Sequence, residues 1–344
     1  MKYKLLSWVA GLLPVFILII SCSVKPLSEG GGGEIIVVAD DLDRPVVRQA
    51  IEGRFERIVD TPQPEPLFSI TWLDGATLSE RTRAPLILLL ASLDGEGPTA
   101  RLLARMLTPE VEKGVQEGDY LVFTRHDPWA RQQLLLILVG RNPKELGERA
   151  VLWVDSLYNW AVEFEYRRLA HQLLQRGENR AAERELTGSY GFQLRLQPDY
   201  LPACTSDSLN FIRFIRHIPE RWIMVAWGDM PDSADLTPEF IYARRKQLGV
   251  AFLDPVICYD ERLRWEHSRL GGVEAVLIRG LWATESAIGG GPFFSYGMWV
   301  PNEKRYYIID GAVFAPGEAK MPYLWQLDAL AQTFVPPPQP ESNL

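Results

Sequence analysis

Four histidines, three cysteines and a handful of carboxylates are the residues here with the most reactive side chains. Their spacing limits what chemistry they can do. His126, His171, His217 and His267 are scattered, with no His-x-x-x-His or His-Glu-x-x-His pair that would put two ligands on one helix face. His171 also follows Arg167 and Arg168, a cationic setting that disfavours a metal. No metal and no cofactor are expected. A Gly-x-Ser-x-Gly elbow is absent, since Phe293-Phe-Ser-Tyr-Gly297 lacks the first glycine and reads as strand. Gly289, Gly290 and Gly291 are followed by Pro292 and aromatics, not by the Lys-Ser/Thr of a phosphate loop, so no nucleotide is expected. Carboxylates remain. Asp40 and Asp41 close an apolar strand, Glu65 is held between two prolines, and Glu285 precedes the glycine run. Two of these at the right separation could hydrolyse a glycan or peptide. The competing reading makes Asp40 and Asp41 complements of a helix start, and Glu65 a solubilising residue in a stiff connector. The aromatics offer a binding surface instead. Trp282, Glu285, Gly289, Gly290, Gly291, Phe293 and Phe294 gather in one predicted hairpin. The alternative is core packing on both of its faces.

Where such chemistry would operate is set by the N-terminus. Lys2 and Lys4 precede an apolar run over residues 5–20, interrupted by Ser7, Gly11 and Pro14. That is short for a membrane span, which needs about 20 apolar residues, and reads as a secretory signal. The run ends Ile19-Ile-Ser-Cys22, which resembles the lipobox of bacterial lipoproteins. The resemblance implies cleavage after residue 21 and acylation of Cys22, with two or three chains, palmitate among them, giving a stable anchor. Residues 22–33, with glycine at 30–33, then read as a flexible Gly-rich tether. No acidic cluster follows Cys22, which favours a periplasm-facing protein at the outer membrane. Cys204 and Cys258 would sit in an oxidising compartment, either bridged or buried as small apolar residues. Lys+Arg 36 against Asp+Glu 44 leaves a net charge of -8, which argues against a nucleic-acid partner.

The elements that must position these residues are legible as apolar runs. Residues 34–39, 67–73 and 84–91 read as strands, and Asp43 with Pro45 opens a helix between the first two. A helix in two pieces around Thr108-Pro109 leads to a hairpin over 120–124 and 133–139, then a long helix over 143–176 and a charged one over 178–186. Further strands are expected at 192–196, 211–218, 222–227, 250–253 and 273–282, with a helix at 237–248. A hairpin over 293–300 and 305–314 and a last helix at 322–334 complete the pattern. Leu107-Thr-Pro-Glu110 recurs as Leu236-Thr-Pro-Glu239, which suggests an internal duplication. The expected fold class is α+β, mainly antiparallel sheets with packed helices, in two similar halves over residues 34–190 and 191–335, before a polar Pro-rich tail at 336–344.

Several stretches together resemble one family, the Bacteroidota lipoproteins catalogued as domain of unknown function 4837. They are Glu34-Ile-Ile-Val-Val-Ala-Asp-Asp41, Pro62-Gln-Pro-Glu-Pro-Leu-Phe68, Gly280-Leu-Trp282, Gly290-Gly-Pro-Phe-Phe294 and Asp310-Gly-Ala-Val-Phe-Ala-Pro316. The resemblance spans nearly the whole chain and brings no catalytic residue with it. The expectation is therefore a lipid-anchored envelope protein that binds an envelope protein or glycan and is not an enzyme. The alternative is an envelope hydrolase working through paired carboxylates.

Overall fold

The computed structural model describes residues 25–119, 121–252, 256–284 and 289–337. The signal-like segment, Cys22, Glu285 and the tail from residue 338 lie outside the described residues.

The first half runs β1 (Glu34–Val38), α1 (Arg44–Phe55), the short pair β2 (Ile58–Val59) and β3 (Glu65–Pro66), then β4 (Ser69–Leu73) and β5 (Leu86–Ser92). Helices α2 (Pro98–Met106) and α3 (Pro109–Glu117) follow, then β6 (Val122–His126), β7 (Leu134–Gly140), α4 (Pro143–Leu174) and α5 (Arg180–Glu185). Its sheet has the order β4-β1-β5-β7-β6. The first four are mutually parallel and β6 is antiparallel on β7, so the hairpin expected there forms. Every residue of β5 and β7 is buried. A parallel sheet covered on both faces requires this, and it explains their unbroken apolar runs.

The second half holds β8 (Leu201–Ser206), β9 (Phe211–Arg216), β10 (Glu220–Asp229), α6 (Pro238–Phe252), β11 (Val256–Cys258) and β12 (Arg264–Leu270). It ends with β13 (Val273–Thr284), β14 (Gly290–Val300), β15 (Arg305–Phe314) and α7 (Met321–Ala331). These strands form an antiparallel sheet of order β11-β13-β14-β15-β10-β9-β8, with β12 also paired to β13. The two sheets face each other across α1, α4 and α7. Val47, Ile51 and Phe55 of α1, Leu157 and Phe164 of α4, and Leu324 and Trp325 of α7 share one core with both sheets. Leu103 and Val115 cover the outer face of the first sheet, and Ile241 and Leu248 that of the second. The fold is α+β with mainly antiparallel strands.

Four expectations need correction. The halves are not similar: one sheet is mainly parallel and the other antiparallel, with different strand orders. What the two Thr-Pro-Glu segments share is local capping. Thr108 Oγ1 accepts the Val111 amide at 3.4 Å, and Thr237 Oγ1 accepts that of Phe240 at 3.2 Å. Residues 192–196 form no strand beyond a single bridge between Gln193 and Val335, and residues 250–252 continue α6. Cys204 is free. It lies on β8 and Cys258 on β11, opposite edges of the sheet with five strands between them. At about 4.8 Å per strand that is roughly 29 Å, far beyond disulfide reach.

The tether is the fourth. From Lys25 onward the chain is seated on the body. The Ser28 amide donates to Arg131 O (2.9 Å), Glu29 N to Arg83 O (2.8 Å), and Arg131 N to Pro26 O (2.8 Å). Arg168 Nη2 donates to Gly31 O at 2.9 Å. Gly32 and Gly33 lie beneath Trp325: a Cβ on Gly33 would stand 2.4 Å from the indole Nε1, and one on Gly32 2.9 Å from the Trp325 Cβ. The glycines let the arm pass under α7, a close approach that any side chain would block.

Candidate binding groove

The open end of the antiparallel sheet carries a groove of about 700 Å³. Its walls are the end of β13 (Leu281 to Thr284), the start of β14, Phe314 and Pro316, the turn at Tyr259 and Arg262, and Pro62 of the proline-rich connector. The sequence-predicted residues Trp282, Gly289, Gly290 and Gly291 all line it.

Trp282 is 5% exposed, with its ring 4.9 Å from that of Trp222 and 6.4 Å from that of Phe314. Its Nε1 is buried and has no hydrogen-bond partner among the described residues. Such an orphaned donor costs about 1–3 kcal/mol. Two of the glycines are explained by strand packing. A Cβ on Gly291 would fall 1.9 Å from Val313 O, and one on Gly290 2.7 Å from Trp282 O. Gly289 is different: its added Cβ would meet only side chains, Thr284 Oγ1 at 3.3 Å and the Phe314 ring at 3.8 Å.

Phe293 and Phe294 do not belong to this surface, because they point to opposite faces of the sheet and both are core. Phe293 is 1% exposed and covered by the Arg245 guanidinium at 3.6 Å; Phe294 is fully buried 5.5 Å from Tyr296. Each lies over a cross-strand glycine. Gly280 pairs with Phe293, whose ring would be 2.9 Å from a Cβ there, and Gly311 pairs with Phe294 at 2.4 Å. The Gly280-Leu-Trp282 and Asp310-Gly311 motifs are thus a packing device, aromatic rings filling the space a glycine leaves. Asp310 is also structural, accepting Arg245 Nε at 2.7 Å and Ser295 Oγ at 2.5 Å.

The carboxylates are dispersed. Asp40 caps α2, accepting the Thr99 amide at 2.9 Å and that of Ala100 at 3.0 Å. Asp43 bonds Ser92 N and Oγ at 3.0 and 2.8 Å instead of its own helix. Asp41 is exposed. Glu65 caps α7 from 255 residues away, accepting the amides of Lys320 (2.8 Å) and Met321 (3.0 Å). Among the described residues no group of histidine, cysteine or carboxylate could hold a metal.

A second depression, about 730 Å³, lies between the halves and was not anticipated. One charge pair there crosses between the halves and a second lies within the second half. Arg57 forks onto Glu266 at 2.7 and 2.9 Å, and Arg279 donates to Asp328 at 2.9 Å. Burial works against the Glu266 carboxylate, yet the Arg57 bonds hold its pKa below the usual value. Tyr296 adds a 2.9 Å bond to Asp328. No sequence signal links Arg57 with Glu266, 209 residues apart.

Residues 179–333 match the family described as domain of unknown function, DUF4837. Over that stretch the chain is similar to DUF4837. Residues 28–173 match a different family, also a domain of unknown function, DUF8532. The resemblance expected over nearly the whole chain therefore belongs, by these matches, to the DUF4837 part. The stretches at 34–41 and 62–68 fall within the part that matches DUF8532, and the groove is built mainly from the part that matches DUF4837, with Pro62 reaching in from the other. No curated protein matches the chain. A solved structure of LpqN, involved in cell envelope biogenesis of Mycobacterium tuberculosis, aligns with 12% identity and a TM-score of 0.28. The alignment covers 43% of this chain and 83% of LpqN, a likeness too slight to carry fold or function across.

Proposed function

We propose that this protein is a lipid-anchored, periplasm-facing envelope protein that binds its ligand without transforming it, through the groove at Trp282. The anchor reading rests on Ile19-Ile-Ser-Cys22 behind a signal-like run. Among the described residues, no helix is long and apolar enough to cross a membrane. The binding reading rests on one observation: a concave surface with mainly apolar and glycine walls holds a buried indole N–H that has no partner among the described residues. A ligand with apolar side groups and an accepting carbonyl, as in a segment of an envelope protein, fits that lining. Hydrolysis has less support, because Asp40 and Glu65 are each occupied in capping a helix.

Photocrosslinking in intact cells tests the binding. A photoreactive side chain at Gly289, where an added Cβ meets side chains and no backbone, should give a discrete adduct; the same group at exposed Lys144 should not. No adduct, or the same one from both positions, overturns the reading. The anchor has its own test. Cys22→Ser should leave uncleaved precursor or soluble protein, and a processed species still fractionating with membranes would exclude acylation at Cys22.

A further inference from the structure

We infer that the face where the N-terminal arm begins is a bilayer-docking surface that takes anionic phospholipid headgroups and holds the body directly against the membrane. This rests on the acyl anchor at Cys22 proposed above. Three Cα–Cα steps separate Cys22 from Lys25, a reach of at most roughly 11 Å. A free linker of the length first expected would let the body wander by about 20 Å. With the arm seated from Lys25 by the bonds to Arg131 and Arg83, that freedom is gone. The surface within reach of the anchor is therefore the one around Lys25.

That surface has the composition a headgroup layer selects. Lys25, Arg83 and Arg131 are exposed and all touch the arm. Lys25 Nζ donates to the Asp127 carbonyl, Arg131 Nε to Lys25 O at 3.1 Å, and Arg83 Nη2 to Leu27 O at 3.3 Å. Arg83 is paired with Glu29, and the Asp127 carboxylate accepts the Gln133 amide at 3.0 Å. No described carboxylate lies within ion-pair distance of Lys25 or Arg131. Leu27 is 38% exposed and Trp129 half-buried at the same edge, shallow apolar groups suited to the interface. Cations beside an acyl chain supply the second contact that makes anchoring firm. The protein's net charge of -8 gives such a patch a directional role: the rest of the surface is repelled by the same headgroups.

Lysine acetylation followed by mass spectrometry tests this on the mature full chain. In a Cys204→Ser/Cys258→Ser background, Cys22 is coupled to a maleimide phospholipid, so the anchor is present whatever the cell does to it. Native acylation is read separately, from the mass of the Cys22 peptide isolated from cells. On vesicles with about 30% phosphatidylglycerol, Lys25 should be acetylated about fivefold more slowly than in solution. Lys113 and Lys144, 72% and 88% exposed on other elements, should keep their rates. On pure phosphatidylcholine vesicles the slowing should be under about twofold, and a Gly/Ser insertion of about ten residues after Val24 should weaken it on both. Lys25 retaining its solution rate on phosphatidylglycerol, or slowing equally on phosphatidylcholine, overturns the inference. An unacylated Cys22 in cells with Lys25 protected on the coupled vesicles would overturn the anchor alone.

Discussion

The two concave regions of this molecule differ in how their polar groups are satisfied. Between the sheets, charge is neutralised in pairs, Arg57 with Glu266 at the half-exposed rim and Arg279 with Asp328 and Glu165 with Arg168 in the interior, although Arg279 Nε and Nη1 and Glu165 Oε1 find no further partner among the described residues. At the end of the antiparallel sheet, the groove holds a buried donor, Trp282 Nε1, with no partner among the described residues. Paired charge is cohesive, since removing one partner strands the other, and the Arg57–Glu266 pair ties one half to the other. An unsaturated groove carries a small standing cost that a ligand can relieve. The comparison assigns cohesion to the first region and recognition to the second, and substitutions can break it.

The largest effect is expected at Arg279→Met. Asp328, 2% exposed, would keep only the Tyr296 hydroxyl, and losing one member of a buried pair costs about 3–5 kcal/mol, measurable by urea unfolding. A loss below about 1 kcal/mol would show that this buried pair is not what holds α7 on its sheet. Next is the pH dependence from Glu165. Burial, set against the Arg168 charge, lifts this carboxyl from an ordinary 4.5 to about 7. The folded protein therefore holds that proton more tightly than the unfolded chain does. The contribution is fully present below about pH 4.5 and is lost as pH rises through about 7, by up to a few kcal/mol. Glu165→Gln should flatten this slope in thermal melts taken from pH 4 to 8.

In the groove the effects are smaller and separable. Gly291→Ala drives a methyl into Val313 O and should cost about 1–3 kcal/mol in chemical denaturation, whereas Gly289→Ala should stay within about 0.5 kcal/mol. Trp282→Phe removes the orphaned donor while keeping most of the ring. Its stability should change by under about 1 kcal/mol, while the adduct from position 289 is lost. A Trp282→Phe variant that is clearly destabilised would mean the indole N–H is satisfied in solution, and would move the groove to the structural side of the comparison.

Much of the architecture was readable because buried strands and long amphipathic helices declare themselves locally. The apolar runs of β5 and β7, the split at Thr108-Pro109 and the hairpin of β14 and β15 are all where the pattern puts them. What escaped was every feature set by a distant partner. Alternation cannot tell a parallel sheet from an antiparallel one when both faces are covered, so the halves read as alike. Glu65 reads as a catalytic candidate or a solubilising residue because nothing near it in sequence reveals α7. The glycines at 30–33 read as slack because a flexible linker and a channel under an indole require the same residue. In the groove, Trp282 and the glycines are legible as a cluster, while Phe293 and Phe294 read as part of it because their cross-strand glycines, Gly280 and Gly311, are set by pairing that the local sequence does not reveal.

Trp325 has a consequence for the order of events during biogenesis. It seals Gly32 and Gly33 and donates to Leu67 O at 3.0 Å, so the first strand's surroundings are completed by a residue near the chain's end. Loop-closure entropy makes such long-range contacts late ones in folding. A chain emerging N-terminus first would thus carry its leading segment open until the last helix arrives. On the anchor reading proposed above, that interval is when the segment ahead of the arm would meet its processing enzymes.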